Sequence, residues 1–302
     1  MNYKLHKLKE EISTSYLKSV VKNIFYDYEF EGDPDLFIES ISSLNYKINN
    51  SLKWCKFTEL QLTGSGNVFI VSKKTSVTNQ ESCKYALIKV SNPKFVFNSI
   101  VKELIKANFL KVQYEIKSQS NFSSPFISQS NVEIDESSFI SPGVIIYPNV
   151  RIGKNCFIGP NTVIGAQGFG FIKNNERENT LERVIHIGGV YMGDNITIGS
   201  NTCIDAGMID STYIESNVAI DNLVHIAHNS HIKSGVIIVA GSVVSGGSII
   251  GENSWLSPNS VSLQNVNLGD NSVIGAGSVL RKSVPNNTMV YGNPMQLRTK
   301  NN

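Results

Sequence analysis

The 302-residue chain carries 27 Lys and Arg against 25 Asp and Glu, a net charge of +2 scattered along the sequence, which excludes the basic field of a nucleic-acid binder. With 41% hydrophobic and 17% charged residues, it has the balance of short strands and turns rather than of a disordered segment or a coiled coil. No run approaches the roughly 18 apolar residues that span a bilayer, and Met1 to Lys9 lacks a signal-peptide core, so a cytoplasmic protein without a transmembrane segment is expected.

The length predicts two domains. In the first third, Asn67 to Ser72 and Tyr85 to Val90 read as strands. Asn92-Pro93 then starts an amphipathic run from Phe95 to Leu110, with Phe97, Ile100, Val101, Leu104 and Ile105 at helical spacing. These elements predict a small α/β domain over residues 1–112. Its aromatic residues Trp54 and Phe57 are candidates for its core.

From Ile134 onward a period of six takes over. Apolar residues fall at Ile134, Ile140, Ile146, Ile152, Ile158 and Ile164, at Met192, Ile198 and Ile204, and from Ile214 in sixes to Leu280, broken only by Ser262. An α-helix would smear such positions around its axis, and simple strand alternation has period two. One short strand plus one tight corner uses six residues, so three units close a triangular coil of 18 with the apolar residue inward. The fold expected for residues 113–284 is therefore a mainly β, left-handed parallel β-helix of hexapeptide repeats. Glycines following the apolar residue (Gly153, Gly159, Gly165, Gly193, Gly199, Gly251, Gly269, Gly275), or other turn-tolerant residues, are assigned to corners with positive φ, and small residues such as Thr162, Thr202 and Ser254 to the narrow interior.

Two breaks in register mark loops. Between Ile164 and Met192 the chain makes an excursion containing Gly168-Phe169-Gly170-Phe171 and a polar stretch from Lys173 to Arg183, and a shorter bulge, Asp205 to Ile209, follows Ile204. Binding residues tend to sit on loops carried by a rigid scaffold. After Val284-Pro285 the pattern ends, leaving a tail over 285–302. Cys55, Cys83, Cys156 and Cys203 form no CxxC pair and are read as reduced packing residues.

Of the five histidines, His225, His228 and His231 cluster, but the polygon puts His225 and His231 at equivalent corners of successive faces with His228 between them, so their side chains diverge and no metal site is expected. His228 has a derivable neighbour, because one coil of 18 stacks Gly246 over it. An imidazole beside an exposed glycine N–H offers a base and an oxyanion donor, enough for acyl transfer to an amine; the alternative is a surface histidine bonded to a corner carbonyl.

The runs Gly168-Phe169-Gly170-Phe171 and Ile220-Asp221-Asn222-Leu223-Val224-His225-Ile226-Ala227-His228-Asn229, behind an N-terminal α/β domain, resemble the UDP-3-O-acylglucosamine N-acyltransferases of lipid A synthesis. That resemblance implies a homotrimer with active sites between β-helices, His228 as general base, the Gly246 N–H as oxyanion donor, and Gly168, Phe169, Gly170 and Phe171 lining the donor cleft. Asp221, Asn222 and His225 become candidate substrate contacts, and Trp54 and Phe57 candidate contacts to the nucleotide. The chain departs from the family at Ala206, where an arginine is usual, at Asn265, which aligns with a second histidine, and at His186, which aligns with a glutamine. The family's C-terminal helical extension is expected to be missing beyond Asn302.

The reaction expected is N-acylation of a UDP- or dTDP-linked amino sugar in surface glycan or O-antigen synthesis. The acyl donor is acyl-CoA or acyl carrier protein, and no cofactor is permanently bound. The alternatives are the lipid A enzyme itself, using acyl carrier protein, and a noncatalytic β-helix scaffold.

Overall fold

A hexad that alternates one inward apolar residue with a tight corner folds only if each rung finds a copy of itself above and below. The computed structural model describes residues 6–25, 27–78, 83–110, 125–128, 130–174, 180–294 and 296–299, and in it this stacking is realised. Rungs as short as Ala219–Ile220, His225–Ile226 and His231–Ile232 line up in three parallel sheets, one per face of a left-handed parallel β-helix. The first face runs from Val132–Ile134 to Asn267–Leu268, the second from Phe139–Ile140 to Thr288–Tyr291, and the third from Phe126–Ile127 to Val279–Leu280. Regular coils pair residue i with i+18, as in Ile220 with Ile238 and Ile226 with Val244. The second residue of each rung points inward, and Ile146, Ile158, Ile198, Ile226, Ile238 and Ile274 are fully buried. Each such side chain contributes about 1.5–3 kcal/mol of burial.

The corners differ from the expectation. Sixteen non-glycine residues among those described have positive φ, and all but Leu223 are asparagines, which tolerate the left-handed region because the side chain bonds locally. Of the glycines assigned to corners, Gly165 has φ 84° as expected and Gly275 does not have positive φ, nor do Gly153, Gly159, Gly193, Gly199, Gly251 and Gly269. The latter are glycine because the next coil passes too close: a Cβ on Gly159 would lie 2.6 Å from the carbonyl carbon of Gly199, and one on Gly199 the same distance from the Asn222 nitrogen. The small interior residues do lie inside and bond from coil to coil. Thr162 Oγ1 donates to Gly199 O at 2.7 Å, and Thr202 Oγ1 to Asp221 O at 2.9 Å. Ser262 sits in a rung position at 0% exposure, its hydroxyl without a partner among the described residues.

The coil extends beyond Val284. Val284 bridges to Leu268 on the first face, Thr288–Tyr291 pairs in parallel with Val273–Ile274 on the second, and Gln296–Thr299 folds back antiparallel. The hexad survives from Val284 to Val290, which is fully buried, but a shortened corner after Leu280 shifts its register.

The chain divides into two units, one comprising Met1–Val112 and Gly170–Ile185, the other Gln113–Phe169 and His186–Asn302. The boundary expected at residue 112 lies outside the described residues. In the first unit, Asn67–Ser72 and Tyr85–Val90 are neighbouring parallel strands at the bounds read from the sequence, within a six-stranded mixed sheet. Helix α1 spans Thr14–Ile24. Helix α2 spans Pro93–Lys106, capped by Asn92, whose side chain accepts from the Phe95 N–H. It stops short of Leu110 because Asn108 turns into the left-handed region. The expected loop excursion is a hairpin of this unit, Phe171–Asn174 with Thr180–Arg183. Asn98 on α2 donates to Arg183 O and accepts from the Ile185 N–H, and Lys102 pairs with Glu182 at 2.8 Å. No helix among the described residues is long and apolar enough to cross a membrane.

Candidate active site

Two interruptions of the β-helix occur on one edge, where the third face turns into the first. The long excursion leaves after Val163–Gln167 and returns at Val190–Met192, and the bulge leaves after Cys203–Ala206 and returns at Thr212–Ile214. One coil further along the same edge, between His225–Ile226 and His231–Ile232, sits His228.

His228 occupies the second position of a tight turn, Ala227 to Ser230, in which Asn229 has φ 59°. Ser245-Gly246-Gly247-Ser248 repeats that turn one coil on, with Gly247 at φ 71° and its N–H donating to His228 O at 2.9 Å. Gly246 lies flat against the imidazole: a Cβ there would stand 2.8 Å from both Cε1 and Nε2 of His228. In this turn type the second residue's N–H is left out of the turn bond. Among the described residues no acceptor takes the Gly246 N–H, while its carbonyl accepts from the Asn265 N–H at 3.0 Å.

Asn229 sets the proton on the ring. Its Nδ2 donates to Asp210 O at 3.1 Å, so its Oδ1 is the atom that accepts from the Met208 N–H at 2.9 Å and faces His228 Nδ1 at 3.1 Å. An acceptor opposite Nδ1 requires Nδ1–H, which leaves the Nε2 lone pair, on the Gly246 side, to take a proton. The same asparagine fastens the bulge to the base. On the other side of the ring stand Gly168 and His186. His186 is 2% exposed and meets His228 edge to face, with centroids 5.1 Å apart and planes at 64°.

The remaining residues expected at the site are distributed as follows. Gly168 is buried and Phe169 is 85% exposed, the last residue before the chain enters the other unit with Gly170 and Phe171. His225 and His231 are not corner residues but outward rung positions on two different faces. Nε2 of His225 is 3.7 Å from Asp205 Oδ2, and that of His231 is 2.7 Å from Glu215 Oε1. Burial holds the His225 imidazole below its ordinary range. Asp221 and Asn222 lie on the preceding edge, between the second and third faces, not with His228. Their carboxylate and amide oxygens hold backbone N–H groups of Ala240 and Ser200 at 3.2 and 2.6 Å, so both close corners of adjoining coils. Cys203 is exposed rather than packed. No group of three or more His, Cys, Asp or Glu among the described residues is placed to hold a metal.

In the first unit, Trp54 ends the strand Ser51–Trp54 and packs half-buried 6.3 Å from the buried Phe97 ring. Phe57 is open, 56% exposed, with Lys56 Nζ 5.5 Å from its ring centre. Lys94, in the first turn of α2, is held below the usual lysine range by burial and then by the charge of Lys56. Sequence reasoning missed Asn229 and His186 as parts of the base's environment. Asn229 was visible only as a corner asparagine, and the length of the excursion hides which residue re-enters beside His228.

The sequence matches the bacterial transferase hexapeptide (six repeats) family over residues 131–166 and 247–282. It is 57% identical over 122 residues to the UDP-3-O-acylglucosamine N-acyltransferase of Leptothrix cholodnii, covering 40% of this chain and 35% of that protein. It is 28% identical over 247 residues to the enzyme of the same name from Hydrogenovibrio crunogenus, covering 70% and 69%. The chain spans only 19% of the length of the Saccharophagus degradans relative, at 54% identity. Among solved structures, a UDP-N-acetylglucosamine acyltransferase from Bacteroides fragilis superposes with a TM-score of 0.49 at 23% identity, over 60% of this chain and 74% of that one. The chain is a hexapeptide-repeat β-helix protein that resembles the UDP-3-O-acylglucosamine N-acyltransferases.

Proposed function

We propose that the chain is an N-acyltransferase that moves an acyl group from a thioester to the amino group of a nucleotide-linked sugar. The observation that carries this reading is the pairing of His228 with Gly246: a base with its Nε2 lone pair available beside a backbone N–H that no acceptor among the described residues uses. In the reaction, the neutral amine attacks the thioester carbonyl, the C–N bond forms, and Nε2 takes the amine proton. The Gly246 N–H donates to the oxyanion of the tetrahedral intermediate. The C–S bond then breaks and His228 returns the proton to the departing thiolate, so acid and base balance over one turnover. Oxyanion donors of this kind contribute about 100- to 1,000-fold in rate.

The names of the relatives favour UDP-3-O-acylglucosamine as acceptor, and with it the lipid A reading, over the short-acyl O-antigen reaction expected from the sequence. In this reading Phe57 stacks the base of the nucleotide, Lys56 and Lys94 attract its diphosphate, and Phe169 covers the acyl donor. A homotrimer in the cytoplasm accompanies the same reading. The test is a matrix of UDP-3-O-acylglucosamine and other UDP- and dTDP-amino sugars against long-chain hydroxyacyl carrier protein and short acyl-CoA, followed by mass of the amide product. Turnover of UDP-3-O-acylglucosamine with acyl carrier protein supports the lipid A reading. Turnover only of other amino sugars with short acyl-CoA returns the reaction to surface-glycan synthesis, and no amide from any pair removes the transferase.

A further inference from the structure

We propose that His186 is a positioning residue for His228, holding the ring in the plane in which Nδ1 meets Asn229 Oδ1. This rests on the assignment of His228 as base, but it is argued from the packing alone. The backbone at His186 is fixed twice by one side chain, since Gln167 Oε1 accepts its N–H at 2.9 Å and Gln167 Nε2 donates to its carbonyl at 2.8 Å. That clasp joins the two ends of the long excursion, Gln167 just before it and His186 just after it. The ring it presents is almost wholly buried and lies in a wedge whose other walls are Gly168 and His228. A Cβ at Gly168 would stand 2.8 Å from His186 Nε2 and 3.0 Å from His228 Cβ, so glycine is what lets the two imidazoles meet.

A histidine needs such a wall because its terminal torsion is broad and roughly two-fold. Turned out of its plane, the His228 ring takes Nδ1 away from Asn229 Oδ1; a half-turn within the plane puts Cδ2 there and only exchanges Cε1 and Nε2, which stand equally close to a Cβ on Gly246. The Asn229 contact alone, at 3.1 Å, is one hydrogen bond on a half-exposed turn. The edge-to-face contact at 5.1 Å supplies the second constraint and Gly246 the third. Aromatic pairs of this geometry shift populations by roughly 2- to 12-fold, enough to favour the ring plane that serves Asn229.

The test uses the full chain with ¹⁵N-labelled histidine, whose five imidazoles are assigned by single substitutions, and reads the tautomer of His228 from its two ring nitrogens. Wild type is expected to show His228 as the Nδ1–H form. His186→Ala is expected to give a mixture of tautomers, and His186→Phe, which keeps a ring in the wedge, to restore the Nδ1–H form. In the acyl-transfer assay the alanine variant should lose about 10-fold in kcat with KM within about twofold, and the phenylalanine variant should recover most of it. An unchanged tautomer in His186→Ala, or a mixture as complete in His186→Phe as in His186→Ala, overturns the proposal. The spectra decide the role of His186 without turnover, so wild-type protein that transfers no acyl group counts against the transferase reading and not against the positioning.

Discussion

Gly246→Ala separates the chemistry of the site from the stability of the scaffold. The added methyl would meet His228 Cε1 and Nε2 at 2.8 Å, short of ordinary contact by about 0.7 Å. Gly246 does not have positive φ, and the obstructing atoms belong to a side chain, so the backbone can keep its turn while the ring moves. A ring displaced by that amount lengthens the 3.1 Å bond to Asn229 Oδ1 and takes Nε2 off its line. Misplacements near 1 Å at a reacting centre cost about 100-fold, or roughly 2.7 kcal/mol of barrier. The expected result is therefore a 30- to 100-fold loss of kcat with a melting temperature within about 2 °C of wild type. The control is Gly247→Ala, next in sequence but at φ 71° and with Asn265 Oδ1 2.4 Å from its added Cβ. It should destabilise the chain by about 1–2 kcal/mol while leaving the ring in place. Release of free thiol from the acyl donor measures the first effect and thermal melting the second. Full activity of Gly246→Ala, or the same ratio of activity loss to stability loss in both variants, would refute the assigned packing.

Other outcomes follow from single contacts. Asn229→Gly keeps the left-handed backbone but deletes the acceptor for Nδ1 and the anchor of Met208 and Asp210, and kcat should fall about 10-fold or more; unchanged kinetics would dismiss Asn229 from the site. Ser262→Val replaces a hydroxyl that is buried without a partner among the described residues, in a rung between Val244 and Leu280, so chemical denaturation should report a gain of about 1 kcal/mol, and a loss would mean the rung has no room. Burial lowers the His225 pKa from 6.5, so below that pH the unfolded chain binds the proton first and stability falls as pH falls. His225→Gln should accordingly gain stability relative to wild type between pH 7.5 and 5.5. The opposite sign would mean that Asp205, 3.7 Å away, dominates.

The scaffold was legible because its signal is one-dimensional. A period of six with coils of 18 places Ile220 against Ile238 and Gly246 against His228 by counting alone. The same counting fails wherever the coil is interrupted. Val163 pairs with Cys203 and Cys203 with His225, separations that the number of inserted residues alone does not reveal, so His186 could not be brought to His228 from the sequence. The glycine reading held at Gly165 and failed elsewhere for another reason: close coil packing and positive φ both select glycine, and only the asparagines, which cannot serve the first purpose, mark the second. In the first unit, Asn67–Ser72 and Tyr85–Val90 were visible as buried apolar strands. His6–Ser13 was not, because only Ile12 of that edge strand is buried. Asp221 and Asn222 look chemical in sequence, yet their oxygens are bonded to corner amides, a use that polar residues at turns share with catalytic ones.

The most direct measurement is the single-turnover rate of thioester-dependent N-acylation by wild type and by His228→Ala, at saturating acceptor and with folding checked by melting. A base at this position predicts a fall of about 100-fold or more with little change in acceptor affinity. A variant that retains a rate within about threefold of wild type would contradict the claim that His228 removes the proton.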